Sequence, residues 1–130
     1  MQGVPAPRAA VIMPAYNAAS TIERTVKSIL AQTMGDLLLI AVDVSGRAHL
    51  SYDAAIPTQK IGDFDTELVK EFWLGFVRKA NVTLHIRSLA GENSHHIVEG
   101  MFKAAARALS AACAVDPALN GEIPSTKGVL

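Results

Sequence analysis

The order of apolar patterns along the chain constrains its fold most. Short apolar or alternating runs predict strands at residues 9–13, 37–42, 49–52 and 82–87. Stretches with apolar residues every three or four positions predict helices at residues 21–32, from the cap residues 63–66 to about 79, and from 95 to about 114. In 130 residues these elements leave room for one domain that contains both strands and helices. The turn residues Ser45 and Gly46 lead us to interpret the strands at 37–42 and 49–52 as a hairpin.

The charge and hydropathy of the chain exclude two classes of partner. Twelve basic and twelve acidic residues balance, so the basic surface of a nucleic-acid-binding protein is absent. No stretch approaches the roughly 20 apolar residues that cross a membrane. Residues 1–8 lack the apolar run of a secretory signal, and the single Cys113, in an alanine-rich run, suits a buried thiol in a reducing compartment. We therefore expect a cytoplasmic protein.

Three of the four histidines fall between residues 85 and 96, and two of them are adjacent ahead of a carboxylate, in His95-His96-Ile97-Val98-Glu99. Side chains three or four positions apart share a helix face, so either histidine can hold one ion with Glu99. Adjacent histidines diverge by about 100° and therefore fit two metal sites better than one. Such ligands suit manganese, iron or zinc. The alternative is that the pair only caps a surface helix.

Two further groups can bind an anion. Lys103 follows Glu99 by one helical turn on roughly the same face. Ser125, Thr126 and Lys127 offer hydroxyls, an ammonium group and flexible amides of the kind that surround a phosphate. The alternative for this tail is an ordinary solvated loop.

Six blocks in register over about 95 residues resemble signatures of the imidazoleglycerol-phosphate dehydratase family. The blocks are residues 45–47, 62–69, 83–87, 90–96, 102–104 and 124–130. The resemblance implies an α+β fold with a small mixed β-sheet and helices packed on one face, half of the duplicated dehydratase fold, to which this chain adds an N-terminal strand-helix unit. It also implies a homo-oligomeric lyase of histidine biosynthesis that uses two manganese ions per complete site. The reaction that the resemblance implies removes water from imidazoleglycerol phosphate to give imidazole-acetol phosphate.

The same resemblance implies site residues but no assigned catalytic residue. The implied manganese ligands are His95, His96 and Glu99. The implied substrate-binding residues are His95, Lys103, Ser125, Thr126 and Lys127. Glu71 stands where many family members place another histidine ligand, and glutamate can also ligate manganese. An ordinary exposed helix glutamate is the alternative. His85 is interpreted as structural or as a support for the ligands, and His49 as hairpin surface.

Residues 10–33 resemble the opening strand and helix of family 2 glycosyltransferases. We therefore divide the chain into a glycosyltransferase-like segment, 1–35, and a dehydratase C-terminal half-domain, 36–130. The other ligand set, which the resemblance assigns to the first half of a duplicated chain, is not found here. The leading hypothesis is a dehydratase module whose turnover needs the other half-site from elsewhere. The alternatives are a non-catalytic chimera or fragment that binds metal or phosphate, and a glycosyltransferase fragment.

Overall fold

This computed structural model describes residues 8–11 and 36–114, which form a small mixed sheet, a second sheet of two short strands, and two helices. The strands are β1 (Arg8–Val11), β2 (Leu37–Asp43), β3 (His49–Asp53), β4 (Lys60–Ile61), β5 (Phe64–Asp65) and β6 (Thr83–Ala90), and the helices are α1 (Glu67–Ala80) and α2 (Ser94–Ala112). Strands β4 and β5 form a separate two-stranded sheet around a turn at Gly62 and Asp63.

The main sheet has the strand order β1-β2-β6-β3. Strand β1 is parallel to β2, β2 is antiparallel to β6, and β3 is parallel to β6. The predicted hairpin is therefore wrong, because β6 lies between the two strands assigned to it. Strand β6 takes the central place because Leu84 and Ile86 are fully buried, whereas no residue of β3 is more than partly buried.

Both helices cover the same face of this sheet. The buried residues of α1 are Val69, Trp73 and Val77, spaced four apart, which is the stripe that an amphipathic helix buries. The indole N–H of Trp73 donates to Sδ of Met101 on α2, at 3.2 Å. Small buried residues along α2, among them Gly100, Ala104, Ala105 and Ala108, let that helix lie close to the sheet. The predicted α+β class, with helices on one face, is confirmed.

Alternate side chains of β2, β3 and β6 point away from the helices, and we call this surface the open face. Its members are Leu39, Ala41, Asp43, His49, Ser51, Asp53, Thr83, His85 and Arg87. Arg87 and Asp53 form an ion pair across it, at 3.0 Å. The open face is therefore largely polar.

Three further sequence predictions have different outcomes. The first strand begins at Arg8, one residue before the predicted start, and is described as far as Val11; residues 12 and 13 of the prediction lie outside the described residues. The helix predicted at 21–32 lies outside the described residues. Cys113 is exposed, so its predicted burial is wrong; it caps the end of α2, one residue beyond the packed part of the helix.

None of the helices in the described ranges is long and apolar enough to cross a bilayer.

Candidate metal and substrate site

The first turn of α2 is fixed by the residue that precedes it. Asn93 has an extended backbone, and its side-chain oxygen accepts from the backbone N–H of His96, at 3.1 Å. Its carbonyl oxygen accepts from the N–H of Ile97, at 2.9 Å. Capping of this kind satisfies amides that the helix leaves free at its start. The backbone that carries both adjacent histidines is therefore held in place.

Asp36, immediately before β2, reaches the same turn. Its Oδ2 lies 3.4 Å from Nδ1 of His96, and its side chain is only 18% exposed. A carboxylate beside Nδ1 favours the proton on that nitrogen and leaves Nε2 free to bind an ion, the usual support of a metal-bound histidine. Sequence reasoning missed Asp36, because no local pattern links residues 60 positions apart.

Glu99 and Lys103 continue the site along α2. Nζ of Lys103 contacts Oε1 of Glu99 in a salt bridge between neighbouring turns. The hydrogen bond from Lys103 and then its charge lower the pKa of Glu99 below the ordinary value, so the group is a carboxylate at neutral pH. A metal ion at Glu99 would share this carboxylate with the ammonium group.

One loop residue connects the starts of both helices. The backbone N–H of Thr58 donates to Oγ of Ser94, at 3.0 Å, and the two side-chain hydroxyl oxygens lie 2.8 Å apart. The hydroxyl of Thr66, at the start of α1, donates to the carbonyl oxygen of Thr58, at 2.7 Å. The two helix starts are therefore positioned relative to each other.

Glu71 is on α1 and is exposed. It lines a cavity of about 530 Å³ together with other residues of α1, strand β3 and the segment after it: Tyr52, Ala54, Ile56, Thr66, Glu67, Leu68 and Lys70. Burial raises the pKa of the Tyr52 phenol, and Nζ of Lys70 lies 6.0 Å from the centre of its ring. Glu71 thus lines a cleft of mixed polar and apolar character.

The structure brings together part of the predicted site. His95, His96, Glu99 and Lys103 lie along one helix, and the two imidazole centroids are 6.0 Å apart with their planes tilted by 64°. Within residues 8–11 and 36–114, no three His, Cys, Asp or Glu side chains are close enough to share one ion. Glu71 is therefore not joined to the histidines within one chain, and Ser125, Thr126 and Lys127 lie outside the described residues. Imidazole and carboxylate donors nevertheless fit manganese, as part of a coordination shell.

Comparison with known proteins gives one consistent result. The profile of the imidazoleglycerol-phosphate dehydratase family matches residues 9–109. Imidazoleglycerol-phosphate dehydratase of Synechococcus sp. (strain CC9605) is 62% identical over 94 residues, which are 72% of this chain and 46% of that protein. The same enzyme of Microcystis aeruginosa (strain NIES-843 / IAM M-2473) is 57% identical over 94 residues, or 72% and 45%. The chain spans about half the length of the curated relatives it matches.

Solved structures agree with the sequence relatives. The crystal structure of imidazoleglycerol-phosphate dehydratase from Staphylococcus aureus subsp. aureus N315 matches with a TM-score of 0.62 and 44% identity, covering 63% of this chain and 48% of that chain. The enzyme from Pyrococcus furiosus, solved in complex with (S)-C348, matches with a TM-score of 0.65 and 41% identity, covering 74% and 52%.

The family match also bears on the N-terminal segment. It begins at residue 9, within the segment that resembles a glycosyltransferase, and the comparisons give that second resemblance no support. The boundary at residue 36 stays a prediction. The matched range, more than three quarters of the chain, and the close relatives show that this chain belongs to the imidazoleglycerol-phosphate dehydratase family.

Proposed function

We propose that this chain supplies part of a manganese-dependent dehydratase site that takes imidazoleglycerol phosphate. The observation that carries the proposal is the arrangement around His96. Asp36 Oδ2 lies 3.4 Å from Nδ1 of His96, on the side from which metal-binding histidines are usually supported, and the carboxylate of Glu99 follows one turn later. Relatives with this name at about 60% identity support the choice of substrate.

The proposed manganese ligands are His95, His96 and Glu99, with Glu71 as a further ligand from α1. Manganese bound there would act as a Lewis acid and template for the substrate's imidazole. Asp36 holds the ring of His96 in the tautomer that binds metal. Lys103 places a positive charge one turn beyond Glu99, where it attracts the anionic substrate.

The rest of the site is proposed to come from elsewhere. The described residues offer fewer than three ligands to any one ion, whereas manganese takes up to six. A homo-oligomer in which copies face each other would supply more ligands. Ser125, Thr126 and Lys127 are proposed to bind the phosphate, the product is imidazole-acetol phosphate, and the compartment is the cytoplasm.

A second candidate is a domain that binds metal without turnover. The observation that favours it is the same shortage of ligands in the described part of one chain. The two candidates differ in catalysis and assembly but share the metal ligands of α2.

Three measurements on the purified full chain separate the candidates: manganese bound per chain, native mass, and conversion of imidazoleglycerol phosphate with added manganese. The dehydratase proposal expects an oligomer that binds manganese and forms product. Metal binding without product, at any native mass, favours the second candidate. Absence of both metal binding and turnover contradicts both.

Variants then test the residues. We expect His96→Gln and Glu99→Gln to weaken manganese binding at least about tenfold, because even loss of a group that only orients a ligand costs about 10–100-fold. Asp36→Asn should weaken it within that range while leaving Glu99 in place. Arg107→Gln is the matched control, since Arg107 is exposed on the same helix and outside the site. Equal binding by the control and all three variants would overturn the assignment.

A further inference from the structure

The open face carries two histidines that the proposed dehydratase site does not use. His49 begins β3, and His85 lies on the neighbouring strand β6. In the parallel register His49 pairs with Thr83 and Ser51 pairs with His85, so the two histidines are diagonal neighbours on one surface. Their ring centroids are 5.8 Å apart, with the ring planes tilted by 50°.

This spacing is close to that of two imidazoles on one metal ion. With a metal–nitrogen bond of about 2.1 Å, the centroid of a ligating ring lies about 3.2 Å from the ion, so two rings at a tetrahedral angle have centroids about 5.2 Å apart. The observed distance of 5.8 Å is slightly longer. A rotation of these exposed side chains would bring the two rings closer together.

We propose that His49 and His85 form a two-histidine site for a divalent transition-metal ion of the zinc, nickel or copper type. Two neutral imidazoles select these borderline metals over magnesium, calcium and manganese, which prefer oxygen ligands. Asp43 lies on the same face beyond Thr83, but no third ligand joins the pair among the described residues. Both histidines are exposed, so water completes the coordination.

The site is independent of the candidate dehydratase site. His95, His96 and Glu99 belong to α2, which covers the other face of the sheet. The ion on the open face would join the edge strand β3 to the central strand β6. Its binding therefore stabilises the pairing of these strands and leaves the first turn of α2 untouched.

Zinc binding to the full chain tests the proposal, with zinc as the only probe. The chain has other groups that take zinc, namely His95, His96 and the exposed thiol of Cys113. The reference protein is therefore the variant H95Q/H96Q/C113S, stripped of metal with a chelator and titrated by calorimetry. We expect one zinc ion per chain and a higher unfolding temperature when zinc is present.

Substitution of either ligand then decides the matter. His49→Gln and His85→Gln in the reference protein should each weaken zinc binding at least about tenfold. Ser51→Ala, on β3 next to both histidines on the open face, is the matched control and should leave the affinity unchanged. In the unsubstituted chain, H49Q/H85Q should lose one equivalent of zinc. The proposal is overturned if the reference protein binds no zinc, or if the single variants bind it as tightly as Ser51→Ala.

Discussion

The starts of α1 and α2 differ in how their polar side chains are used. At α1, the hydroxyl of Thr66 donates to the loop carbonyl of Thr58 and caps none of the helix amides. At α2, the side chain of Asn93 accepts from the N–H of His96, the residue that carries a candidate ligand. The first start fixes a loop, and the second fixes a functional side chain.

The glycine that precedes α2 and the glycine within α1 also differ in the space around them. Gly91, three residues before α2, has φ +153°, and a Cβ there would lie 2.8 Å from Cγ1 of Ile97 and 3.1 Å from Oδ1 of Asp36. Gly75, within α1, has no neighbouring atom within 4 Å of a Cβ. The approach to α2 is therefore crowded, and it keeps Asp36 next to the histidines.

The largest effect is expected from Gly91→Ala. Crowding against Ile97 costs about 1–3 kcal/mol and the backbone conformation costs about as much, so we expect the free energy of unfolding to fall by about 2–6 kcal/mol. Gly75→Ala, the control, should raise it by about 0.5–1 kcal/mol, because alanine favours a helix interior. Equilibrium urea unfolding measures both. Similar changes in the free energy of unfolding for the two variants would contradict the difference in crowding between the two glycines.

An intermediate effect is expected from Ser94→Ala. This change removes the acceptor of the Thr58 N–H at a buried position, and we expect a loss of about 1–2 kcal/mol. Thr66→Val removes the bond to the carbonyl oxygen of the same residue and should cost about 1 kcal/mol. Since both act through Thr58, the double variant should lose less than the sum. Strict additivity in urea unfolding would show that the two helix starts are not coupled.

The smallest effect is expected from Lys103→Met. Without the ammonium group, the pKa of Glu99 should rise toward its ordinary value of 4.5. A carboxylate with a lowered pKa stabilises the fold above pH 4.5, and this contribution is lost as the pH falls through the lower, native-state pKa. Titration of the Glu99 carboxyl carbon by NMR measures the shift. Arg107→Met should leave it unchanged, and an unchanged pKa in Lys103→Met would contradict the assigned cause.

Local patterns predicted most of the elements. The alternation at residues 82–87 and the apolar stripe of Val69, Trp73 and Val77 depend only on residues close together in the sequence. Strand β6 and helix α1 could therefore be predicted. The cluster of His95, His96 and Glu99 could be predicted for the same reason, since helical spacing alone places it on one stretch of α2.

Contacts between residues that are far apart in the sequence could not be predicted from local patterns. The hairpin prediction failed because proximity in sequence favoured pairing β2 with β3, whereas the buried face of β6 takes the place between them. The support of His96 by Asp36 and the bonds of Thr58 to both helix starts join residues that no pattern connects. Sequence therefore predicted the ligands but not the residues that hold them.

The double attachment of Thr58 has a consequence for slow motions of the chain. A transient opening of this loop would release Ser94 and Thr66 together, so both helix starts would loosen in one event. Their amide protons should then exchange with solvent as one cooperative unit, separate from the core of the sheet. The candidate ligands of both helices would thus become disordered at a common rate.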